Sequence, residues 1–227
     1  MSEIILMSDA RVAAVPVREC GEGLVDVRRA SSLLTAVRPE DEPAAYFVRE
    51  GVLERLVKAQ ASLPEGVRLL LVEGYRPLAL QRRYFEGYAD ELRAENPGWP
   101  DERIVAAASR FVSPPEIAPH SAGAAVDLTL ADADGRELDL GTPIDANPEE
   151  SAGACYTAAG NIGDEARANR EILAEALTSA GLVNYPTEWW HWSYGDRYWA
   201  LAGGTGAALY GPCASPAAGP GSVGGGR

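Results

Sequence analysis

Two histidines are present in 227 residues, His120 and His191, and both sit in unusual local sequence. His120 opens the run His120-Ser-Ala-Gly-Ala-Ala-Val-Asp127. If Ala124–Ala131 is a strand, side chains alternate across it, and Gly123, Ala125 and Asp127 share one face. A carboxylate flanked on its own face by Gly and Ala has room beside it for a metal ion or a ligand. His120, just before the strand, can fold back onto that face. The competing reading is a surface histidine and a solvated Asp127 on an edge strand. Against it stands the apolar setting, Ala-Val-Asp-Leu-Thr-Leu, because a buried carboxylate without a partner is expensive.

Glu188 precedes His191 by three residues, in Thr187-Glu-Trp-Trp-His-Trp192. That spacing can place a general base next to a metal ligand. It can equally be a tryptophan-rich hairpin that packs the core, with Glu188 a surface charge; four of the five tryptophans lie in Trp189–Trp199. Two His and one Asp together make an N,N,O donor set. Such a set suits zinc with an open position for water. A closed structural site needs a fourth ligand, and the chain offers no third histidine and no suitably spaced cysteine.

The elements that must carry these residues read as follows. Leu24–Val27 is a short strand in an otherwise irregular first fifty residues. Gly51–Ser62 has helical apolar spacing, and Arg68–Glu73 is a short apolar run that reads as a buried strand. Pro77 stands at the first position of a helix, Leu78 to about Glu95, and Pro100–Phe111 reads as another. Asp134-Gly135 signals a hairpin from Ala124–Ala131 into a strand at Arg136–Leu140. Asp164–Ala180 is an amphipathic helix with the stripe Ala168, Ile172, Leu173, Ala176 and Leu177, ended by Gly181. Leu182–Tyr185 and Trp189–Tyr194 pair as a hairpin around Pro186. The expected fold is α+β: a small, mostly antiparallel sheet with flanking helices and the zinc site on the sheet. Residues 1–213 form one domain, and the Gly/Ala/Pro/Ser-rich segment 214–227 is too poor in apolar side chains to order itself.

Composition narrows the partners. With 33 acidic and 20 basic residues the net charge is -13, which argues against nucleic acid or an anionic membrane surface. No apolar window approaches the roughly 18 residues of a membrane span. The first ten residues carry Glu3 and Asp9 and no basic region, so the chain is expected in the cytoplasm. Cys20, Cys155 and Cys213 read as free thiols. Lys58 is the one lysine, which excludes lysine chemistry almost everywhere.

The motifs also carry a resemblance. His120-x-x-Gly123-x-Ala125-x-Asp127 matches the His-x-x-Gly-x-Ala-x-Asp signature of the zinc D-Ala-D-Ala metallopeptidases, and Glu188-Trp-Trp-His191 matches their Glu-x-Trp-His. Glu73-Gly-Tyr-Arg76-Pro77 and Leu140-Gly-Thr-Pro-Ile-Asp145 resemble blocks of the D-alanyl-D-alanine dipeptidase, VanX-like, branch. The blocks come in the family's order and cover roughly Leu24 to Trp199. The resemblance implies one zinc per chain, bound by His120, Asp127 and His191. It makes Glu188 the base that moves a proton from water to the leaving amine, and Arg76 the group facing the scissile carbonyl. It makes Asp145 the anchor of a small dipeptide's free amine. Departures are Ala118 in place of a family serine, Glu73 in place of Asp, and Arg28, Arg29 and Ser31 where some relatives have a tyrosine.

The expected function is zinc-dependent hydrolysis of D-Ala-D-Ala or a closely related free dipeptide. The alternatives are a peptidoglycan D,D-carboxypeptidase or endopeptidase, which needs an extracytoplasmic location, and a non-catalytic zinc-site binding protein, which has no need of Glu188.

Overall fold

The computed structural model describes residues 4–37 and 43–215. Residues 216–227, most of the expected disordered tail, lie outside the described residues. In chain order the elements are α1 (Ala10–Ala14), β1 (Leu24–Asp26), β2 (Leu34–Thr35), β3 (Phe47–Arg49), α2 (Glu50–Ser62), β4 (Arg68–Glu73), α3 (Leu78–Glu95), α4 (Asp101–Ala108), β5 (Ala125–Ala131), α5 (Asp164–Ser179), β6 (Val183–Asn184), β7 (His191–Ser193) and α6 (Arg197–Gly203).

The fold is α+β. Its main sheet has five strands in the order β2-β4-β5-β7-β6, with β1 and β3 forming a separate antiparallel pair. Among the described residues, only the β2–β4 pairing of the main sheet is parallel. Strand β5 is central and buried along its whole length, so Asp127 is far from any sheet edge. Leu69 and Leu71 of β4 and Leu128 and Leu130 of β5 pack with Leu56 of α2, Leu173 and Leu177 of α5, and Trp190 into one core. Helices α3 and α4 instead share a small cluster of their own, Ala89, Leu92, Ile104 and Ala108. They stand as a helical hairpin beside the sheet. Among the described residues no helix is long and apolar enough to cross a membrane.

Register decides what faces what. Leu71 pairs with Leu128, but Glu73 pairs with Asp127, so Val72 is the extra residue of a β-bulge. Across the next interface Asp127 pairs with His191. Directly opposed residues of an antiparallel ladder put their side chains on one side. Glu73, Asp127 and His191 therefore form a row across three neighbouring strands.

Several expected elements differ. Arg136–Leu140 is not a strand: the Asp134-Gly135 turn forms, with Arg136 carbonyl accepting from the Asp132 amide, but pairing stops at a single Ala131–Glu137 bridge. Pro77 caps α3 rather than starting it, and α4 ends at Ala108, three residues early. The first fifty residues hold a helix and three short strands. The buried face of α5 runs through Ala166, Arg170, Leu173 and Leu177, with Ala168 exposed.

That last slip has a physical reason. Arg170 is buried, 4% exposed, and lies on the face of α5 that packs inward. Its guanidinium donates from Nε to the Leu140 carbonyl at 2.7 Å, from Nη1 to Tyr156 at 2.8 Å and from Nη2 to Ala154 at 2.9 Å. It pairs with no carboxylate among the described residues, and burial pushes its pKa down to about 10. It also stacks over Trp189, 5.5 Å from the ring centroid. One arginine thus ties both ends of the 140–156 loop to α5.

Candidate metal centre

Three elements deliver the donor atoms. Asp127 comes from the middle of β5 and His191 opens β7 directly opposite it. His120 starts a tight helical turn, His120–Ala122, just ahead of β5. That turn closes on Gly123 at φ +66°, and a Cβ there would stand 2.3 Å from Leu24 Cδ2. The glycine therefore serves the reversal of the chain and the close approach of β1. It does not lie on the strand face with Asp127, as the alternation argument assumed; Ala125 does.

The donors converge. His120 Nε2 is 3.2 Å from His191 Nδ1 and 3.3 Å from Asp127 Oδ2, and His191 Nδ1 is 3.0 Å from Asp127 Oδ1. Ligand atoms about 2.0–2.2 Å from one ion at tetrahedral angles stand roughly 3.3–3.6 Å apart, so these separations fit a single small cation within a few tenths of an ångström. All three residues are buried. His120 Nδ1 donates to the Gly74 carbonyl at 2.6 Å, which leaves the Nε2 lone pair for the cluster. A metal-ligating histidine is commonly oriented in this way by its second nitrogen. His191 turns Nδ1 inward, and its buried Nε2 has no hydrogen-bond partner among the described residues.

The electrostatics are those of a charge-poor interior crossed by ionised groups. Burial alone would raise the Asp127 carboxyl, but the two histidines hold it far below the usual carboxylate range. Burial would lower His120, and the adjacent Asp127 reverses that to a net rise. His191 stays depressed, with burial outweighing Asp127. Glu188 is 6% exposed and its Oε2 lies 3.8 Å from His191 Nδ1, outside the three-donor cluster. Burial, then the charges of Asp127 and Asp145, push its pKa well above the ordinary value, against the pull of Arg76.

Arg76 is held on two sides. Its Nε and Nη2 donate to the two Glu73 oxygens at 2.7 and 2.6 Å, and Nη1 donates to Gln81 Oε1 at 3.0 Å. Gln81 in turn donates to the Ser113 carbonyl at 2.7 Å. The bidentate fork keeps the guanidinium charged despite burial. Asp145 lies on the 140–156 loop at φ +65°. A cavity of about 420 Å³ brings Arg76, His120, Asp127, Asp145, Glu188 and His191 to one space. The six residues singled out in the sequence thus share one cleft.

Sequence reasoning missed Gln81, the Gly74 carbonyl and the aromatic side of the cleft, Tyr84, Tyr88 and Phe111. Gln81 carried a usable signal, a polar residue in the first turn of a helix that begins beside Arg76. The other positions carried none.

The sequence is also similar to that of known proteins. Residues 33–202 match the peptidase M15 family model described as D-Ala-D-Ala dipeptidase. A D-alanyl-D-alanine dipeptidase of Synechocystis sp. is 30% identical over 217 residues, covering 82% of this chain and 87% of the relative. One from Enterococcus faecium is 30% identical over 149 residues, covering 63% and 71%. Among solved structures, the LD-carboxypeptidase LdcB aligns over 84% of this chain and 76% of its own, with 17% identity and a TM-score of 0.48.

Proposed function

The chain belongs to the D-Ala-D-Ala dipeptidase family of metallopeptidases, and from that premise we propose that it hydrolyses free dipeptides of the D-Ala-D-Ala class, with one zinc per chain. The observation that carries this reading is the convergence of His120 Nε2, Asp127 and His191 Nδ1 at 3.0–3.3 Å, with buried Glu188 beside them and outside the donor set. His120, Asp127 and His191 would hold the zinc. Bound there, it would supply Lewis acidity, acidifying water and polarising the scissile carbonyl.

The chain's own residues do the rest. Glu188 takes a proton from the attacking water and returns it to the departing amine, because an amide nitrogen cannot leave as an anion. Arg76, fixed by Glu73 and Gln81, faces the carbonyl as negative charge develops on its oxygen. A preorganised donor of this kind stabilises the transition state more than the ground state. Asp145 pairs with the ammonium of the substrate, which confines the site to peptides with a free amine next to the scissile bond.

Metal analysis and a panel of peptides test the reading together. The purified protein should hold about one zinc per chain, lose activity with a chelator and cleave free dipeptides. Efficient cleavage of N-blocked or longer peptides would move it to the carboxypeptidase reading. Zinc binding with no hydrolysis of any peptide would leave a binding protein.

A further inference from the structure

The cleft is larger than D-Ala-D-Ala. An extended dipeptide spans about 7 Å, and the side chains of D-Ala-D-Ala are methyl groups. A cavity of about 420 Å³ is instead in the range of roughly 300–1,000 Å³ that takes drug-sized ligands. The surplus space has a definite lining. Tyr84 and Tyr88 of α3 line it together with Phe111 and Val112, which follow α4, and with the exposed Arg83 and Glu91 of α3. Tyr88 and Phe111 meet edge to face at 5.2 Å between centroids. All three aromatic rings are half-buried, so apolar ring surface is left for an occupant. Gly87, inside α3, lines the same space, and a Cβ there would meet nothing within 4 Å. Glycine is a poor helix former, yet here it stands mid-helix at an exposed position lining the cleft.

The position of this wall picks out one end of the substrate. Arg110, next to Phe111, forms an ion pair with Glu149, four residues beyond Asp145. The end of α4 and the Asp145 loop thus make up one side of the cleft. A dipeptide with its amine at Asp145 lays its first side chain against that side.

We propose, resting on the dipeptidase reading, that the preferred substrates are free dipeptides whose amino-terminal residue carries a large aromatic or aliphatic side chain, seated on Tyr84, Tyr88 and Phe111. An apolar group that fills such a pocket gains about tenfold or more in kcat/KM over one that leaves it empty.

The test compares D-Ala-D-Ala, D-Phe-D-Ala and D-Ala-D-Phe on the zinc-loaded protein and on two variants, Gly87→Leu and Tyr88→Ala. The expected result is a kcat/KM for D-Phe-D-Ala at least tenfold above D-Ala-D-Ala. That ratio should fall about tenfold in Gly87→Leu, where leucine occupies the space, and also fall in Tyr88→Ala. Gly87→Leu raises helix propensity, so loss of fold does not mimic the effect. A wild-type ratio at or below one, or a ratio that neither variant changes, would overturn the inference. A preference for D-Ala-D-Phe over D-Phe-D-Ala would overturn it as well, by placing the wall at the other end. No cleavage of any of the three would instead sink the dipeptidase reading, and this inference with it.

Discussion

Replacing Arg170 by methionine should cost this protein about 3 kcal/mol of stability and loosen substrate binding while sparing the metal centre. Methionine keeps most of the apolar stem and removes the guanidinium. Three hydrogen bonds are lost, to Leu140, Ala154 and Tyr156. The Tyr156 carbonyl keeps a second donor, the Ala159 amide at 2.9 Å. The Leu140 and Ala154 carbonyls retain no other donor among the bonds described, and both residues are buried. Each orphaned buried carbonyl costs about 1–3 kcal/mol, so the pair costs roughly 2–6. Relief from burying an unpaired cation, and water reaching the loosened loop, return part of this. At about 2–4 °C per kcal/mol for a chain of this size, the melting temperature should drop by about 6–12 °C. Urea unfolding followed by tryptophan fluorescence measures the loss, and metal analysis and steady-state kinetics complete the assay. KM for a free dipeptide should rise, because the loop carrying Asp145 is released at both ends, and zinc content should hold. A loss under 1 kcal/mol would refute the reasoning, and so would a loss of zinc with no change in KM. Arg170→Lys should fall between, since one ammonium can reach only some of the carbonyls.

Other perturbations separate the roles in the cleft. Glu188→Gln should keep zinc and lose several orders of magnitude in turnover, beyond the 10²–10⁴ typical of one acid–base step; metal content and dipeptide turnover on that variant distinguish a base from a fourth ligand or a spectator. Arg76→Ala should lower kcat by roughly 10²–10³ with zinc retained, and full turnover would make Arg76 a structural corner of the strand-to-helix connection. N-acetylated dipeptides should be poor substrates, because acetylation removes the cation that meets Asp145, a loss of about 1–3 kcal/mol or more. In the metal-free protein, the pH titration of the Glu188 carboxyl, followed by NMR, should have its limb above the ordinary glutamate value, because burial and the Asp127 and Asp145 charges raise it. Asp145→Asn removes one of those charges and should move that limb to lower pH; a limb that stays put, or moves up, would contradict the electrostatic account.

Much of the centre was legible because its signals are local. His120, Asp127, Glu188 and His191 are fixed by spacing within two short runs, and dense apolar stretches such as Arg68–Glu73 announce buried strands. What stayed hidden depends on tertiary partners. Arg136–Leu140 has a good turn before it, yet its pairing partner Ala131 already sits at the end of a strand with β4 on one side, and the ladder runs out. The α5 stripe was misread because Arg170 looks like a surface residue until carbonyls from a distant loop are placed around it. Strands β2 and β3 are two and three residues long, too short for alternation to register. Gly123 was read as making room for a ligand, and its actual constraint is Leu24, almost a hundred residues away in the chain.

The bulge at Val72 works as a phase shift. Counting by twos from Leu69 and Leu71 puts residue 73 in the oily layer between β4 and the helices. One surplus residue inverts the parity, and Glu73 emerges on the opposite side of the sheet, level with Asp127. The polar row is therefore aligned by the apolar one: the register that buries Leu69 and Leu71 against α2 and α5 is the same register that delivers Glu73, and through it Arg76, to the cleft. The strands cannot slide to relieve repulsion between the Glu73 and Asp127 carboxylates without turning both leucines out of the core. Hydrophobic packing thus acts as the vernier of the cleft, and a change in spacing within Arg68–Glu73 should disturb the core and the cleft together.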